Sequence, residues 1–270
     1  MQEQLKLMCI LAHPDDESMG TGGILSKYAA EGVATYLVCA TRGERGWDTD
    51  AEDFPGLEAL GKIREAELLR AARVLGLQRV DFLDYIDGEL DQVDPAQAVA
   101  QIAYHVRKVR PQVVVTFPPD GAYGHPDHIA ISQFTAAALV CAADCNYDHT
   151  NGYPPHRVSK LYYIVDSNKV KDLFANFFGE LSMEIDGVKR LHVAWEDWAI
   201  TTQVDATAYW QTAWQAVKCH TTQVKEIVEA LDSQPENLHQ DIWGRQNLYR
   251  VYSLVNGGRK LEGDLFDGLR

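Results

Sequence analysis

The sequence predicts an α/β fold, with a mostly parallel sheet, helices on both faces and a C-terminal elaboration. Apolar strands alternate with helical segments through the first half of the chain, and polar clusters follow two of those strands directly. The 270 residues are 46% apolar, which is enough for a substantial core. Because α/β folds of this size often form one unit, we predict a single domain over residues 1–270.

Short apolar runs mark the strands of the first half. Residues 5–12 and 34–41 are apolar and contain β-branched side chains, and residues 80–83 are a shorter candidate. Residues 113–117, VVVTF, have the clearest strand signal in the chain.

Helices are predicted between these strands, at residues 20–30, 57–75, 95–110 and 129–143. Gly32 and Gly76 are placed to end the first two helices. Pro95 stands at the first turn of the third helix, and Pro111 follows its last residue. Alternation of this kind indicates right-handed βαβ units.

The second half is less regular. Its predicted elements are a strand at 161–165, a hairpin at 183–195, a helix at 206–220 and a late strand at 248–255. The hairpin prediction rests on Asp186-Gly187, a turn signal between two short runs.

The composition excludes several partners. Acidic residues outnumber basic ones by 39 to 25, for a formal charge of −14, so we predict no nucleic-acid and no membrane partner. No apolar run has the length of a membrane span or the form of a secretory signal, and we expect a cytoplasmic protein. The five cysteines are interpreted as reduced, buried thiols. The oligomeric state stays open, a homo-oligomer included.

The first predicted strand runs directly into His13-Pro14-Asp15-Asp16-Glu17. Ligands of open parallel sheets bind outside the carboxyl ends of the strands, and isolated charges there are costly to desolvate unless they have a use. Pro14 keeps His13 extended. A turn immediately after it would bring His13 and Asp16 to one point while Asp15 points elsewhere. An imidazole and a carboxylate at one point suit zinc.

The strand at 113–117 runs into a second polar cluster, YGHPDH at 123–128. His128 opens the next predicted helix and could supply a third protein ligand. A catalytic zinc takes three protein ligands and leaves a position for water, whose pKa it lowers from 15.7 to about 7. We therefore predict a metal site of His13, Asp16 and His128 that holds Zn²⁺, or Fe²⁺ in its place.

Gly20-Thr21-Gly22-Gly23 has part of the pattern of a dinucleotide-binding loop. The full G-x-G-x-x-G spacing needs a third glycine where Leu25 stands, and a pyrophosphate would face the carboxylates of the first cluster. We interpret these glycines as allowing close helix packing instead.

The motifs resemble those of the LmbE-like (PIG-L) family of zinc-dependent N-acetylglucosamine deacetylases. AHPDDE at 12–17 is paired with YGHPDH at 123–128, and the similarity extends to TRGE at 41–44, REAE at 64–67 and HTTQ at 220–223. The resemblance implies a Rossmann-like sheet, in agreement with the βαβ pattern. It implies that His13, Asp16 and His128 hold the zinc and that Asp15 is the general base.

The resemblance also implies further catalytic residues. His125 would stabilise the tetrahedral intermediate or protonate the leaving amine, with Asp127 orienting it. Tyr123 would help to bind the oxyanion. Three acidic residues match family positions without an assigned role: Glu17, Glu44 and Glu67.

Three residues are candidates for substrate binding. Arg64 matches an arginine that contacts the polar end of substrates, and His220 is either a core residue or part of the pocket, as in the family. Arg42 and Arg64 each either contact substrate or are solvated or ion-paired at the surface.

The predicted function is removal of the acetyl group from a small N-acetylglucosamine-type substrate, by metal-activated water with Asp15 as base. One alternative is an amidase that acts on thiol S-conjugates with the same site. Another, of a different class, is a non-catalytic Rossmann-like module that binds a sugar or nucleotide. A pure binder has no use for an unliganded carboxylate beside a metal, so Asp15 and His125 together favour an enzyme.

Overall fold

One sheet of seven strands organises the computed structural model, which describes residues 4–47, 51–148, 150–258 and 260–270. Its strands are β1 (Lys6–Leu11), β2 (Ala34–Thr41), β3 (Arg79–Tyr85), β4 (Val113–Thr116), β5 (Lys160–Ile164), β8 (Thr202–Asp205) and β9 (Arg245–Ser253), while β6 (Ser182–Ile185) and β7 (Val188–Leu191) pair separately. The helices are α1 (Asp16–Ala30), α2 (Leu57–Leu75), α3 (Pro95–Val109), the short turn α4 (Gly121–Gly124), α5 (Pro126–Ala143), α6 (Asn168–Phe178), α7 (Trp210–Val217), α8 (Lys225–Leu231) and α9 (Glu236–Trp243).

The parallel part of the sheet has the order β3-β2-β1-β4-β5. Helix α1 packs with α2 and α7, and α3 packs with α5, as right-handed crossovers on two faces require. The predicted α/β fold is confirmed. The strand order reverses between β1 and β4, so the loops after these two strands border a crevice at the carboxyl edge of the sheet.

The C-terminal elaboration extends this sheet with antiparallel strands. β9 pairs with β5, and β8 pairs with β9. The sequence analysis does not predict β8, a strand of only four residues. The predicted hairpin is confirmed as β6 and β7, joined at Asp186 and Gly187, whose φ angles are 54° and 74°, as hairpin turns of this length require.

Two helices begin earlier than the sequence predicts. α1 begins at Asp16 and α5 at Pro126, ahead of the expected residues 20 and 129. The carbonyl of Asp15 accepts the first helical N–H groups of α1. The side chain of His125 caps α5 by accepting from the Asp127 N–H. Both helices therefore start inside the polar clusters and fix their side chains.

Gly23 lets α1 approach the end of α9. A Cβ at this position would lie 2.5 Å from the carbonyl oxygen of Trp243 and 3.1 Å from Cβ of Ala206. Close packing of this kind is the role predicted for the glycines that follow β1.

The cysteines are free thiols, and Cys9 and Cys39 are buried as expected. The expectation is wrong for Cys145, which is exposed beyond the end of α5. Among the described helices, none combines the length and the apolar character that a bilayer span needs.

Candidate functional site

The clusters after β1 and β4 meet at the carboxyl edge of the sheet. The two strands are hydrogen-bonded neighbours, so their loops leave the same edge side by side. His13, His125 and His128 are buried there. The ring centroid of His13 lies 4.7 Å from that of His125 and 5.1 Å from that of His128.

Two ring nitrogens and one carboxylate converge in this crevice. Nδ1 of His13 lies 3.2 Å from Nε2 of His128, and the Asp16 carboxylate approaches these nitrogens to 3.8 and 3.6 Å. The N–H groups of Ala12 and His13 donate to Asp16 Oδ2 at 3.1 and 2.8 Å and fix the carboxylate. The structure thus brings the three predicted ligands together. His125 offers a further ring nitrogen within 4.8 Å of those of His13 and His128.

Asp127 is directed at His13, whereas the sequence analysis expects it to orient His125. Its Oδ2 lies 3.1 Å from Nε2 of His13. The N–H groups of Gly88 and Leu90 donate to its two oxygens at 2.7 and 3.1 Å. The loop after β3 supplies these donors and so fixes the carboxylate beside His13, while the backbone N–H of Asp127 donates to Nδ1 of His125 at 3.1 Å.

Asp87 is a site residue that the sequence analysis misses. Its Oδ1 lies 3.1 Å from Nε2 of His13, and its N–H donates to Glu44 at 3.2 Å. Burial would raise the pKa of Asp87, but the hydrogen bond from His13 and the charges of His13 and Arg64 hold it at about 2. A signal was present, because Asp87 follows the third strand as His13 follows the first.

Opposite pKa changes accompany the contact between the two imidazoles. Burial opposes protonation of His13, yet hydrogen bonds to Asp127 and Asp87 hold its pKa well above the usual value. Burial lowers the pKa of His128, and it raises the pKa of Asp16 to about 7. The contact of 3.2 Å between the two nitrogens requires only that one of them carries a hydrogen and donates it to the lone pair of the other.

Asp15 is close to the crevice in an unusual backbone conformation. Its φ is 119° and its ψ is −28°, a region that costs a residue other than glycine about 1–3 kcal/mol. Its Oδ2 lies 3.3 Å from Nη2 of Arg64. The same guanidinium is buried and donates to the carbonyls of Pro14 and Gly43 at 2.6 and 2.8 Å.

Tyr123 and Gly124 form the turn before α5. The ring of Tyr123 is edge-on to that of His128, with centroids 5.3 Å apart. Nη1 of Arg190, on β7, donates to the Gly124 carbonyl at 2.8 Å. Gly124 has a φ of 76°, and a Cβ there would lie 2.5 Å from the Arg190 side chain. The hairpin therefore closes over this turn.

The other two candidates for substrate binding lie in different surroundings. Arg42 pairs with Glu65 and Asp84, which agrees with the alternative of a surface ion pair. His220 is fully buried, and its Nε2 lies 2.7 Å from Oε1 of Glu17. It reaches the site from the C-terminal half but is enclosed.

Comparison with known proteins adds to this geometry. The family described as GlcNAc-PI de-N-acetylase (PIG-L) matches residues 8–139. A 1D-myo-inositol 2-acetamido-2-deoxy-alpha-D-glucopyranoside deacetylase from Kineococcus radiotolerans is 32% identical over 305 aligned positions, which cover 100% of this chain and 84% of that protein.

Solved structures share the fold. N,N'-diacetylchitobiose deacetylase from Pyrococcus horikoshii has a TM-score of 0.69 at 21% identity, over 91% of this chain and 83% of that one. The 4-carboxy-2-hydroxymuconate hydratase from Pseudomonas putida KT2440 has a TM-score of 0.66 at 18% identity, over 94% and 99%. A deacetylase and a hydratase thus have this fold in common, so activity must be argued from the site.

Proposed function

Because the chain belongs to the GlcNAc-PI de-N-acetylase (PIG-L) family, we propose that it is a zinc-dependent deacetylase acting on a small N-acetylglucosamine-type molecule. The observation that carries the proposal is the convergence of His13, His128 and Asp16, whose ligand atoms approach one another to 3.2–3.8 Å. Two imidazoles and a carboxylate are the donor set of a catalytic zinc site, which leaves one position open.

The contacts behind His13 fit a metal ligand. Asp127 and Asp87 only accept hydrogen bonds when ionised, so Nε2 of His13 carries a hydrogen and Nδ1 faces His128 and Asp16. Histidines that bind metals almost always donate their other N–H to such a partner, which fixes the ring and raises its basicity. The residues present therefore fit zinc, and the same donors suit Fe²⁺.

Asp15 is proposed as the general base. When bound, zinc polarises water and so makes a nucleophile available at neutral pH. Asp15 would accept the proton on the oxygen that does not face Arg64. Burial raises the pKa of Asp15, and the charge of Arg64 opposes this rise.

His125 is proposed to donate a hydrogen bond to the developing oxyanion or to the leaving amine. The Asp127 N–H donates to its Nδ1 at 3.1 Å, so the neutral ring carries its hydrogen on Nε2. Burial and the charge of His13 lower the pKa of His125 to about 4, and the ring is therefore neutral at pH 7. Tyr123, with its ring 5.8 Å from that of His125, is proposed to bind the same oxyanion.

An amine-release assay on zinc-reconstituted protein tests the proposal. The substrates are N-acetylglucosaminides with different aglycones, and a thiol S-conjugate probes the alternative amidase activity. We expect amine and acetate in equal amounts from at least one N-acetylglucosaminide. His128→Ala should lose both this activity and its zinc, which elemental analysis measures after dialysis.

Two results would count against the proposal. Zinc-loaded protein that releases no amine from any N-acetylglucosaminide would contradict it, and release from the S-conjugate alone would favour the amidase. Full zinc content in His128→Ala would contradict the proposed set of zinc ligands.

The cytoplasmic location of the protein stays a prediction from the sequence.

A further inference from the structure

We propose that His220 is a positioning residue that fixes the backbone of Asp15 through Glu17, and that it does not contact substrate. The inference rests on the proposed function, because Asp15 is the base of that reaction. One line of hydrogen bonds joins the three residues. Nε2 of His220 donates to Oε1 of Glu17 at 2.7 Å, and Oε2 of Glu17 accepts from the Asp15 N–H at 3.1 Å.

Asp15 needs such a constraint. Its φ of 119° lies where residues other than glycine are rarely found, and conformations of this kind persist only when the surroundings over-determine them. The N–H of Asp15 comes just before α1 and has no partner within the helix ladder. The bond to Glu17 satisfies this N–H and holds the peptide in place.

Glu17 uses both oxygens as acceptors. Oε2 takes the Asp15 N–H, while Oε1 takes Nε2 of His220 and also the hydroxyl of Ser18. Glu17 has no exposed surface. A buried carboxylate must be hydrogen-bonded or paired, or it is costly to bury. His220 supplies that partner from the far side of Glu17.

His220 is itself held by the residues that follow it. The hydroxyls of Thr221 and Thr222 donate to the two oxygens of Glu67, each at 2.6 Å. Gln223 donates to a backbone carbonyl in the loop after β2 at 2.7 Å. The HTTQ segment is therefore fixed to α2 at one side and to Glu17 at the other.

The same helix fixes the opposite side of Asp15. Arg64 lies one turn before Glu67 on α2 and donates to the Pro14 carbonyl at 2.6 Å. Asp15 is thus held by the peptide before it, by its own N–H and by its carboxylate contact with Arg64. α2 joins these constraints into one unit.

The burial of His220 favours the positioning role over direct contact with substrate. His220 has no exposed surface, its Nε2 is committed to Glu17, and its Nδ1 is buried as well. Its Nδ1 has no hydrogen-bond partner among the described residues, but the ring is fully enclosed and presents no surface to a ligand in the crevice. Its effect on catalysis must pass through Glu17.

The test compares His220→Leu with His220→Gln. The glutamine amide can replace Nε2 as a donor, whereas leucine fills a similar volume without one. We expect kcat of His220→Leu to fall by about 10²-fold, the loss that a small misplacement of a catalytic group causes. KM and zinc content should stay unchanged, and His220→Gln should recover most of the turnover. His239→Leu is the control, because His239 is also buried but packs between tryptophans of α7 and α9.

A second measurement is independent of activity. In a crystal structure of His220→Leu, we expect Asp15 to leave its φ of 119° and its N–H to lose Glu17. If His220→Leu does not fold, Glu17→Met replaces it in both measurements. Methionine has a similar length and no carboxylate, so it accepts neither the Asp15 N–H nor Nε2 of His220.

Several outcomes would overturn the inference. A raised KM with unchanged kcat in His220→Leu would assign His220 to substrate binding. A glutamine variant as slow as the leucine variant, or an unmoved Asp15 in a slow variant, would also refute positioning. Wild-type protein without deacetylase activity would instead refute the proposed function, and the structural comparison would still decide the role of His220.

Discussion

Asp127→Asn should weaken zinc binding by about 10- to 100-fold, the usual effect of removing a partner behind a metal ligand. Both Asp127 oxygens accept hydrogen bonds: Oδ2 from Gly88 at 2.7 Å and His13 at 3.1 Å, and Oδ1 from Leu90 at 3.1 Å. Asparagine has one acceptor oxygen. Its amide nitrogen must therefore face at least one donor, and the ring of His13 loses its fixed partner or the loop after β3 shifts.

The expected loss corresponds to about 1.4–2.8 kcal/mol of binding free energy, since a tenfold change in affinity is about 1.4 kcal/mol. Asp87 still accepts from Nε2 of His13, which keeps the ring partly oriented and zinc binding measurable. Competition with a chromophoric chelator gives the zinc affinity. Asp94→Asn is the control, because that carboxylate caps α3 by accepting from the Ala96 N–H, outside the site.

The opposite pattern would refute this reasoning. If Asp127 acted mainly on His125, as the family resemblance implies, Asp127→Asn would turn over slowly with wild-type zinc affinity. His125→Gln should show that pattern, and the two variants should therefore differ in zinc affinity. Equal zinc affinities in Asp127→Asn and the wild type would indicate that the Asp127 side chain orients His125 instead of His13.

Three further predictions follow from other contacts. Asp15→Asn should keep its zinc while kcat falls by about 10²- to 10⁴-fold, whereas Asp16→Ala should lose zinc as well; equal zinc contents in the two variants would contradict these roles. Gly23→Ala should lower the free energy of unfolding by about 1–3 kcal/mol, because its Cβ would lie 2.5 Å from a carbonyl oxygen. Gly263→Ala, with nothing within 4 Å of the added Cβ, is the control, and equal unfolding in urea would refute the clash. At Glu262, burial opposes ionisation, but hydrogen bonds from neighbouring side chains hold the pKa at about 2. The unfolded carboxyl titrates near 4.3, so its stabilising contribution is present above about pH 4.3 and is lost as the pH falls toward 2. Glu262→Gln should flatten the pH dependence of the free energy of unfolding in this window, and an unchanged slope would contradict an ionised, hydrogen-bonded Glu262 in the folded protein.

Features set by neighbouring residues are predictable from the sequence. An apolar run marks each strand of the parallel sheet, and Asp16 follows His13 by three positions, so one turn can bring both side chains to an ion. His128 can reach the same ion if the first and fourth strands are neighbours in the sheet. The location of the site follows from the rule that ligands bind at the carboxyl edge of such sheets.

Features set by distant loops are not predictable in this way. The direction of Asp127 depends on Gly88 and Leu90, 39 and 37 residues away in the loop after β3. Asp87 reaches His13 from the same loop. No local pattern shows how that loop packs over α5. A similarity of motifs identifies the residue types at a site but does not show where their side chains point.

The bond between His220 and Glu17 spans 203 positions of the chain, and Gln246 bonds to the backbone of α1 at Gly20, 226 positions away. Contacts so distant in sequence form late, because chain entropy must be overcome before they contribute. During synthesis the strands of the parallel sheet leave the ribosome well before these partners do. On the role proposed for His220, the last constraint on Asp15 forms only when the HTTQ segment has joined the fold, and we therefore expect a growing chain to gain hydrolytic activity late.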